Sequence, residues 1–149
     1  MLDIEPLTEE SVPAIGALEA LCFPDPWSEK GLRDTLREDC ACFFGAWSGG
    51  TLCGYVNATW VLDEMNINRI CTHPAFRRQG AARALFAALD DFCRRRGITR
   101  FFLEVRESNA AARALYRSLG FTETGRRPNF YDNPTEGAVL MDRILPEQE

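Results

Sequence analysis

The sequence predicts an α/β fold in one domain, a mixed sheet with helices on its faces. Three observations lead there. Residues 41–47, 51–62 and 64–72 are strand-like segments in direct succession, the first two joined at Ser48-Gly49-Gly50, the pattern of an antiparallel meander. Residues 79–96 then carry apolar side chains at helical spacing and residues 100–106 alternate again, so a strand–helix–strand crossover follows the meander. A chain of 149 residues without repeat, linker or low-complexity tract fits a single unit spanning 1–149.

Each element has its own reason. Residues 2–7 alternate as a short first strand. A helix is expected over about 8–21, with Ile15, Leu18 and Leu21 or Cys22 on one face. Glu9 and Glu10 suit its first turn, and Pro13 leaves its start open. CFPDPWS, residues 22–28, is a loop set by its prolines, and Ser28 stands as the N-cap of a second helix through about Arg37. In the long helix over 79–96, Ala82, Leu85, Phe86, Leu89, Phe92 and Cys93 form one apolar face. Arg94, Arg95 and Arg96 fill its last turn, where positive charge suits the helix dipole, and Gly97 stops it. Ser108 or Asn109 caps a further helix through Leu119, which Gly120 ends. Strands over about 122–130 and 138–144 close the chain. The sheet is therefore antiparallel early and parallel in the middle.

Composition narrows the function. A net charge of −5 argues against a general nucleic-acid binder and mildly favours a cationic substrate or partner. No stretch is long and apolar enough to cross a bilayer, so no membrane partner is expected. The acidic start MLDIEPLTEE lacks the plan of a signal peptide, so the expected address is the cytoplasm. The cysteines at 22, 40, 42, 53, 71 and 93 form no C-x-x-C pair and there is one histidine, so no metal site is expected. Most of these thiols are expected to be reduced and buried as small apolar groups.

The stretch HPAFRRQGAARALF, residues 73–86, is the most informative. It places R-x-x-G-x-A, Arg77 to Ala82, where a strand gives way to a helix. A helix start leaves about four backbone N–H groups unpaired and about half a unit of positive charge. A diphosphate is their natural partner. Gly80 lets the backbone approach phosphates, Ala81 and Ala82 keep side chains out of the way, and Arg77, Arg78 and Arg83 add charge. The alternative is a surface helix start with scattered arginines. Neither G-x-G-x-x-G nor G-x-x-x-x-G-K-[ST] occurs.

This loop resembles the acetyl-coenzyme A pyrophosphate loop of the GCN5-related N-acetyltransferases, the GNAT superfamily. Further matches stand in the same order as in that family: LEVRESNAAARALYRSLGF at 103–121 and GRRPNFY at 125–131. With CFPDPWS and VLDE at 61–64, they resemble the ribosomal-protein alanine N-acetyltransferase branch over almost the whole chain. The resemblance implies a GNAT fold of about six or seven strands and about four helices, in which a splayed parallel pair forms the acetyl-CoA cleft. It implies an enzyme that uses acetyl-CoA as co-substrate, without a metal. Acetyl would pass directly to the N-terminal alanine α-amine of small-subunit ribosomal protein eighteen.

Roles follow from the resemblance, beside what the residues say alone. Glu104 matches the family's general base, acting directly or through water. In FFLEVR it shares a face with Phe102 and Arg106, opposite Phe101, Leu103 and Val105. If the strand is covered, burial would disfavour its charged form; otherwise it faces solvent or pairs with Arg106. Tyr116 matches the general acid that protonates the leaving thiolate; its reference pKa of about 10 lies above the thiol's at about 8.5. From spacing alone Tyr116 is a core tyrosine. Asn109 matches the residue that bonds the pantetheine arm and is also a plain cap. The cofactor contacts implied are Ile70, Cys71, Thr72, Arg77, Arg78, Gln79, Gly80, Ala81, Ala82, Asn109 and Tyr116. The backbone N–H groups at 70–72 would supply the oxyanion donor, at a bulge where the strand splays. Cys71 is also weighed as a nucleophile, but no base lies near it in sequence. His73, followed by proline, reads as turn-forming.

Phe23, Trp27 and Tyr131, with Pro24, would wall a narrow acceptor slot, although Phe23 and Trp27 also read as plugs under a loop. Asp63 and Glu64 would meet a cationic residue beside the acetylated terminus. The expected partner is a ribosomal protein or other protein N-terminus, with no nucleic acid, and the chain a monomer or weak dimer. Rival readings are transfer to lysine side chains or a small amine, and a non-catalytic acetyl-CoA sensor. Ala82, Arg69, Cys71, Thr72 and the proline of NFYDNP depart from the usual family pattern.

Overall fold

The computed structural model describes residues 2–145; Met1 and residues 146–149, the ends of the expected 1–149 unit, lie outside it. Strands β1 (Asp3–Pro6), β2 (Ala41–Ser48), β3 (Thr51–Val61), β4 (Glu64–Thr72), β5 (Arg100–Arg106), β6 (Thr122–Tyr131) and β7 (Glu136–Ile144) form one seven-stranded sheet. Their order is β1-β2-β3-β4-β5-β7-β6, and only β4 and β5 run parallel. The helices are α1 (Val12–Cys22), α2 (Glu29–Leu36), α3 (Ala81–Arg96) and α4 (Ala110–Ser118).

Local chemistry sets the boundaries. The first helix begins later than its periodicity suggests: a 3₁₀ turn, Glu9–Ser11, precedes it, and Pro13 sits in the first turn, where a missing N–H costs nothing. Ser28 caps α2 by accepting the Gly31 N–H at 3.0 Å, and Asn109 caps α4 by accepting the Ala112 N–H at 3.1 Å. α3 starts at Ala81 rather than Gln79, because Gly80 before it adopts φ 81°, a left-handed conformation.

The sheet is covered on both faces. On one, α3 and α4 bury Phe86, Leu89 and Tyr116 against Phe101, Leu103, Val105 and Phe121, with tilted and edge-to-face ring contacts. On the other, α1 and α2 bury Ile15, Leu18 and Leu32 against Phe43 and Tyr55. This second layer lies over β2, β3 and β4. Phe101, Leu103 and Val105 thus point into the core, while Phe102, Glu104 and Arg106 point to the face that α1 and α2 leave partly open.

The parallel pair is short. β4 and β5 are in register only at Glu64–Arg100, Met65–Phe101 and Asn66–Phe102, and then separate. On its other side β4 slips against β3: Ala58 faces Ile67 but Asn57 faces Arg69, leaving Asn68 as the extra residue. Such a bulge bends and twists the strand that carries it, which turns β4 away from β5. The bulge falls at 67–69, upstream of the expected 70–72. Strand alternation hides such a slip, because asparagine and arginine at 68 and 69 fit either register.

Candidate active site

Where β4 and β5 part, a cleft of about 610 Å³ opens between them. Ile70 and Asn68 of β4 line one wall, Glu104 and Arg106 of β5 the other. Tyr116, from the helix layer behind the sheet, reaches the same cleft through the gap, with Asn109 beside it. Phe23, Trp27 and Tyr131 close the remaining side. The structure therefore brings together Glu104, Tyr116, Asn109, Ile70, Phe23, Trp27 and Tyr131.

One end of this region is made of backbone. His73 accepts the Ala75 N–H on Nδ1 at 3.0 Å and fixes the short 3₁₀ turn Pro74–Phe76. The chain then passes exposed through Arg77, Arg78, Gln79 and Gly80, with Arg78 also at positive φ, 65°. No side chain caps α3, and its first internal bond is Ala84 N–H to the Gly80 carbonyl at 3.0 Å. The amides before Ala84 are therefore offered outward. A side chain built on Gly80 would meet nothing within 4 Å, so the space over this turn is open. Ala81 is buried and Ala82 half-buried beneath it. Arg83 turns away and donates to Ser118 Oγ at 2.8 Å, which ties α3 to α4.

The ladder decides which β4 amides face the gap. His73 N–H donates to the Cys53 carbonyl, so on the antiparallel alternation the Cys71 amide also faces β3. The N–H groups of Ile70 and Thr72 then face the opposite way. The Cys71 side chain packs toward α1, in the second core layer. Its hydrogen bond with Cys22 comes first, and burial second, in holding the Cys71 thiol protonated, the state opposite to that of a nucleophile.

Of the settings left open for Glu104, the structure shows the exposed one. It is exposed within the cleft, not buried, because the helices that cover β2–β4 do not extend over β5. It does not pair with Arg106, whose guanidinium bonds Glu136 at 3.2 Å instead. Tyr116 is only 7% exposed, and burial raises its pKa above the usual phenol range, with Tyr131 and Cys71 adding smaller effects in the same direction. Tyr131 is pushed up to about 12, first by burial and next by the Glu104 carboxylate, with Arg106 and Arg69 opposing.

Asp63 and Glu64 are not in this cleft. They lie at the turn between β3 and β4, beside Thr99, Arg100 and Ile144. The Asp63 carbonyl accepts the amides of Thr99 and Arg100 at 2.9 and 3.2 Å. Glu64 begins β4, and at about 3.3 Å per residue it stands about 20 Å from Ile70. Direction along the strand, which the motif VLDE does not carry, separates these acids from the cleft.

Several residues that build the site escaped the reading of the sequence. Glu19 is fully buried, accepts the Trp27 N–H at 2.9 Å and the Tyr55 hydroxyl, and lies 3.4 Å from Arg69 Nε. Its signal was a carboxylate on the helical stripe of Ile15, Leu18 and Cys22. Asp25, Arg69 and Arg106 also line this cleft, where the two arginines tie down its loops. Of the cysteines, Cys42, Cys53 and Cys93 are buried, Cys22 and Cys71 half-buried and Cys40 exposed; all are free thiols.

Comparison with known proteins fits this geometry. Residues 12–121 match the model of the acetyltransferase (GNAT) family. The [ribosomal protein bS18]-alanine N-acetyltransferase of Escherichia coli K12 is 37% identical over 143 residues, covering 95% of this chain and 96% of the relative. The N-alpha-acetyltransferase RimI of Mycobacterium tuberculosis is 36% identical over 143 residues, with 92% and 89% covered. The crystal structure of the ribosomal-protein-S18-alanine N-acetyltransferase from Escherichia coli superimposes with a TM-score of 0.90 at 34% identity, covering 100% of this chain and 97% of that one. A splayed parallel pair, an uncapped helix beginning with outward amides, and relatives of matching length agree: the chain belongs to the acetyltransferase (GNAT) family.

Proposed function

We propose that this chain is an acetyl-CoA-dependent N-terminal protein acetyltransferase whose acceptor is an N-terminal alanine, as in its relatives named for ribosomal protein bS18. The observation that carries the reading is the cleft itself. Its β4 wall ends at Ile70, from which the same chain runs on to the bare amides around Gly80, and its slot holds Glu104, Tyr116 and Tyr131.

The pyrophosphate of acetyl-CoA would lie on the amides of residues 78–83, with Arg77 and Arg78 adding charge and Gln79, Ala81 and Ala82 leaving the approach clear. The pantetheine arm would pair along β4 at Ile70 and Thr72, past Cys71, in place of the strand that β5 no longer supplies. Asn109 uses Oδ1 for its cap, which leaves its amide nitrogen to donate to the same arm. The acetyl carbonyl then reaches the outward amides of β4 that serve as the oxyanion donor.

Chemistry needs little from the protein once the reactants meet. Glu104, open to the cleft, accepts the ammonium proton directly or through one water. A free α-amine, with a reference pKa of about 8, gives up that proton far more readily than a lysine at about 10.4. The amine nitrogen bonds to the acetyl carbon, the carbonyl reforms and the carbon–sulfur bond breaks. Tyr116, whose hydroxyl burial keeps protonated, is the general acid: it protonates the sulfur as the carbon–sulfur bond breaks, and the second proton lost by the nitrogen as the amide forms restores the phenol. A phenylalanine at 116 would keep the packing and lose that donor.

Two peptides test this reading: one with a free alanine terminus, and one blocked at its terminus but bearing lysine. Each is incubated with acetyl-CoA, and products are read by mass. Acetyl on the free alanine alone is expected; acetyl confined to the blocked peptide would favour a lysine acceptor, and no transfer to either would favour a sensor.

A further inference from the structure

We infer that two arginines, one from each splayed strand, are positioning residues that fix the width of the acceptor slot. Arg69 of β4 holds the loop at residues 22–28. Its guanidinium donates to the Asp25 carbonyl, lies 4.1 Å from the centre of the Phe23 ring and places Nε 3.4 Å from the buried Glu19. Arg106 of β5 holds the turn after Tyr131. It donates to the carbonyls of Asp132 at 2.7 Å and Pro134 at 2.9 Å, lies 4.6 Å from the centre of the Tyr131 ring and bonds Glu136 at 3.2 Å. The two arrangements repeat one plan. Each guanidinium donates to the main chain of one loop, through one carbonyl for Arg69 and two for Arg106, faces one aromatic ring and lies beside a carboxylate partner, Glu19 and Asp25 for Arg69 and Glu136 for Arg106. Both rings line the same cleft as Glu104.

The chemistry explains why arginine stands at both places. A guanidinium is planar, so its edge donates in a fixed fork while its face stacks on a ring. An ammonium has no such plane. Because each guanidinium is tied to the main chain of its loop and its charge is balanced by Glu19 and Asp25 or by Glu136, neither arginine is offered as a counter-ion for the acceptor. Each acts through the ring it holds. Glu19 strengthens the first arrangement further, since it also holds the Trp27 amide and Tyr55, so α1, the loop, β3 and β4 meet at one carboxylate. The inference rests on the proposed function, because it takes this end of the cleft to be where the acceptor enters.

The test uses the full chain with Arg69→Lys and Arg106→Lys, which keep the charge beside Glu19 and Glu136. A second form, Glu19→Gln with Arg69→Met, removes both charges of the buried pair together, so that neither is left stranded. For each variant that melts as a folded protein, KM and kcat are measured on alanine- and leucine-terminated peptides, and acetyl-CoA affinity by calorimetry. The expected result is a peptide KM raised about 10- to 100-fold, because loss of positioning is costly when the reacting atoms are untouched. Acetyl-CoA affinity should stay within about twofold, and preference for alanine over leucine should shrink. Wild-type turnover with an unchanged peptide KM in all folded variants would overturn the inference alone. So would an equal loss of cofactor affinity, which would make the arginines general scaffold. Wild-type protein that acetylates no peptide terminus would overturn the proposed function, and this inference with it.

Discussion

At the turn around Gly80, proposed here for the cofactor, the groups on offer are exposed main-chain amides; on the side of the cleft proposed for the acceptor they are side chains held by Arg69, Arg106 and the buried Glu19. The first is one contiguous turn, Arg77 to Ala82. The second draws on α1, β4, β5 and the β6–β7 turn, with partners 26 to 50 residues apart. A phosphate needs only amides and charge, so its site tolerates change in neighbouring side chains. An acceptor must be told apart from others, and that requires walls in fixed positions.

The largest effects should come from the residues between the two ends. Tyr116→Phe and Glu104→Gln should each lower kcat by about 10²–10⁴-fold, with acetyl-CoA affinity by calorimetry unchanged. If either variant turned over normally, the reacting centre would lie elsewhere and the two ends would need new names. Next in size is Glu19→Ala, which strands Arg69 and the Tyr55 hydroxyl in the interior. A cost of about 3–5 kcal/mol is expected in thermal or denaturant unfolding. Gly80→Val, at φ 81°, should be milder for stability, about 1–3 kcal/mol, while raising the acetyl-CoA KM and sparing the peptide KM. Opposite partition of the two KM values in these two variants would break the comparison.

A separate effect, on stability alone, concerns alkaline pH. Burial chiefly raises Cys42 and Cys93 from 9.0 to about 12, and Tyr131 from 10.0 to about 12. The unfolded chain therefore releases these protons first. The stability they supply is complete below about pH 9 and is lost as pH rises toward about 12. Melting temperatures between pH 8 and 11 should fall steadily, and a flat profile would contradict the burial of these groups.

The same contrast explains what the sequence made legible. The meander, the crossover and the last two strands followed from alternation and spacing, because each is a local periodicity. The turn at 77–82 was legible because its parts are adjacent. Arg69 and Glu19 were not, since each is a charge within an apolar pattern and its meaning depends on a partner 50 residues away. Glu104 was placed on the right face of FFLEVR, but its exposure depends on where α1 and α2 stop. Asp63 and Glu64, expected beside the acceptor, lie apart from the cleft, because a strand motif does not say which end of the sheet it occupies. The bulge at 67–69 left no trace in composition.

One structure would decide most: this chain crystallised with coenzyme A joined through an acetyl bridge to an alanine-terminated peptide. The expected map shows the pyrophosphate on the amides around Gly80, and the alanine nitrogen beside Glu104 with its chain leaving between Phe23 and Tyr131. A pyrophosphate bound away from that turn, or a peptide leaving toward Asp63 and Glu64, would contradict it.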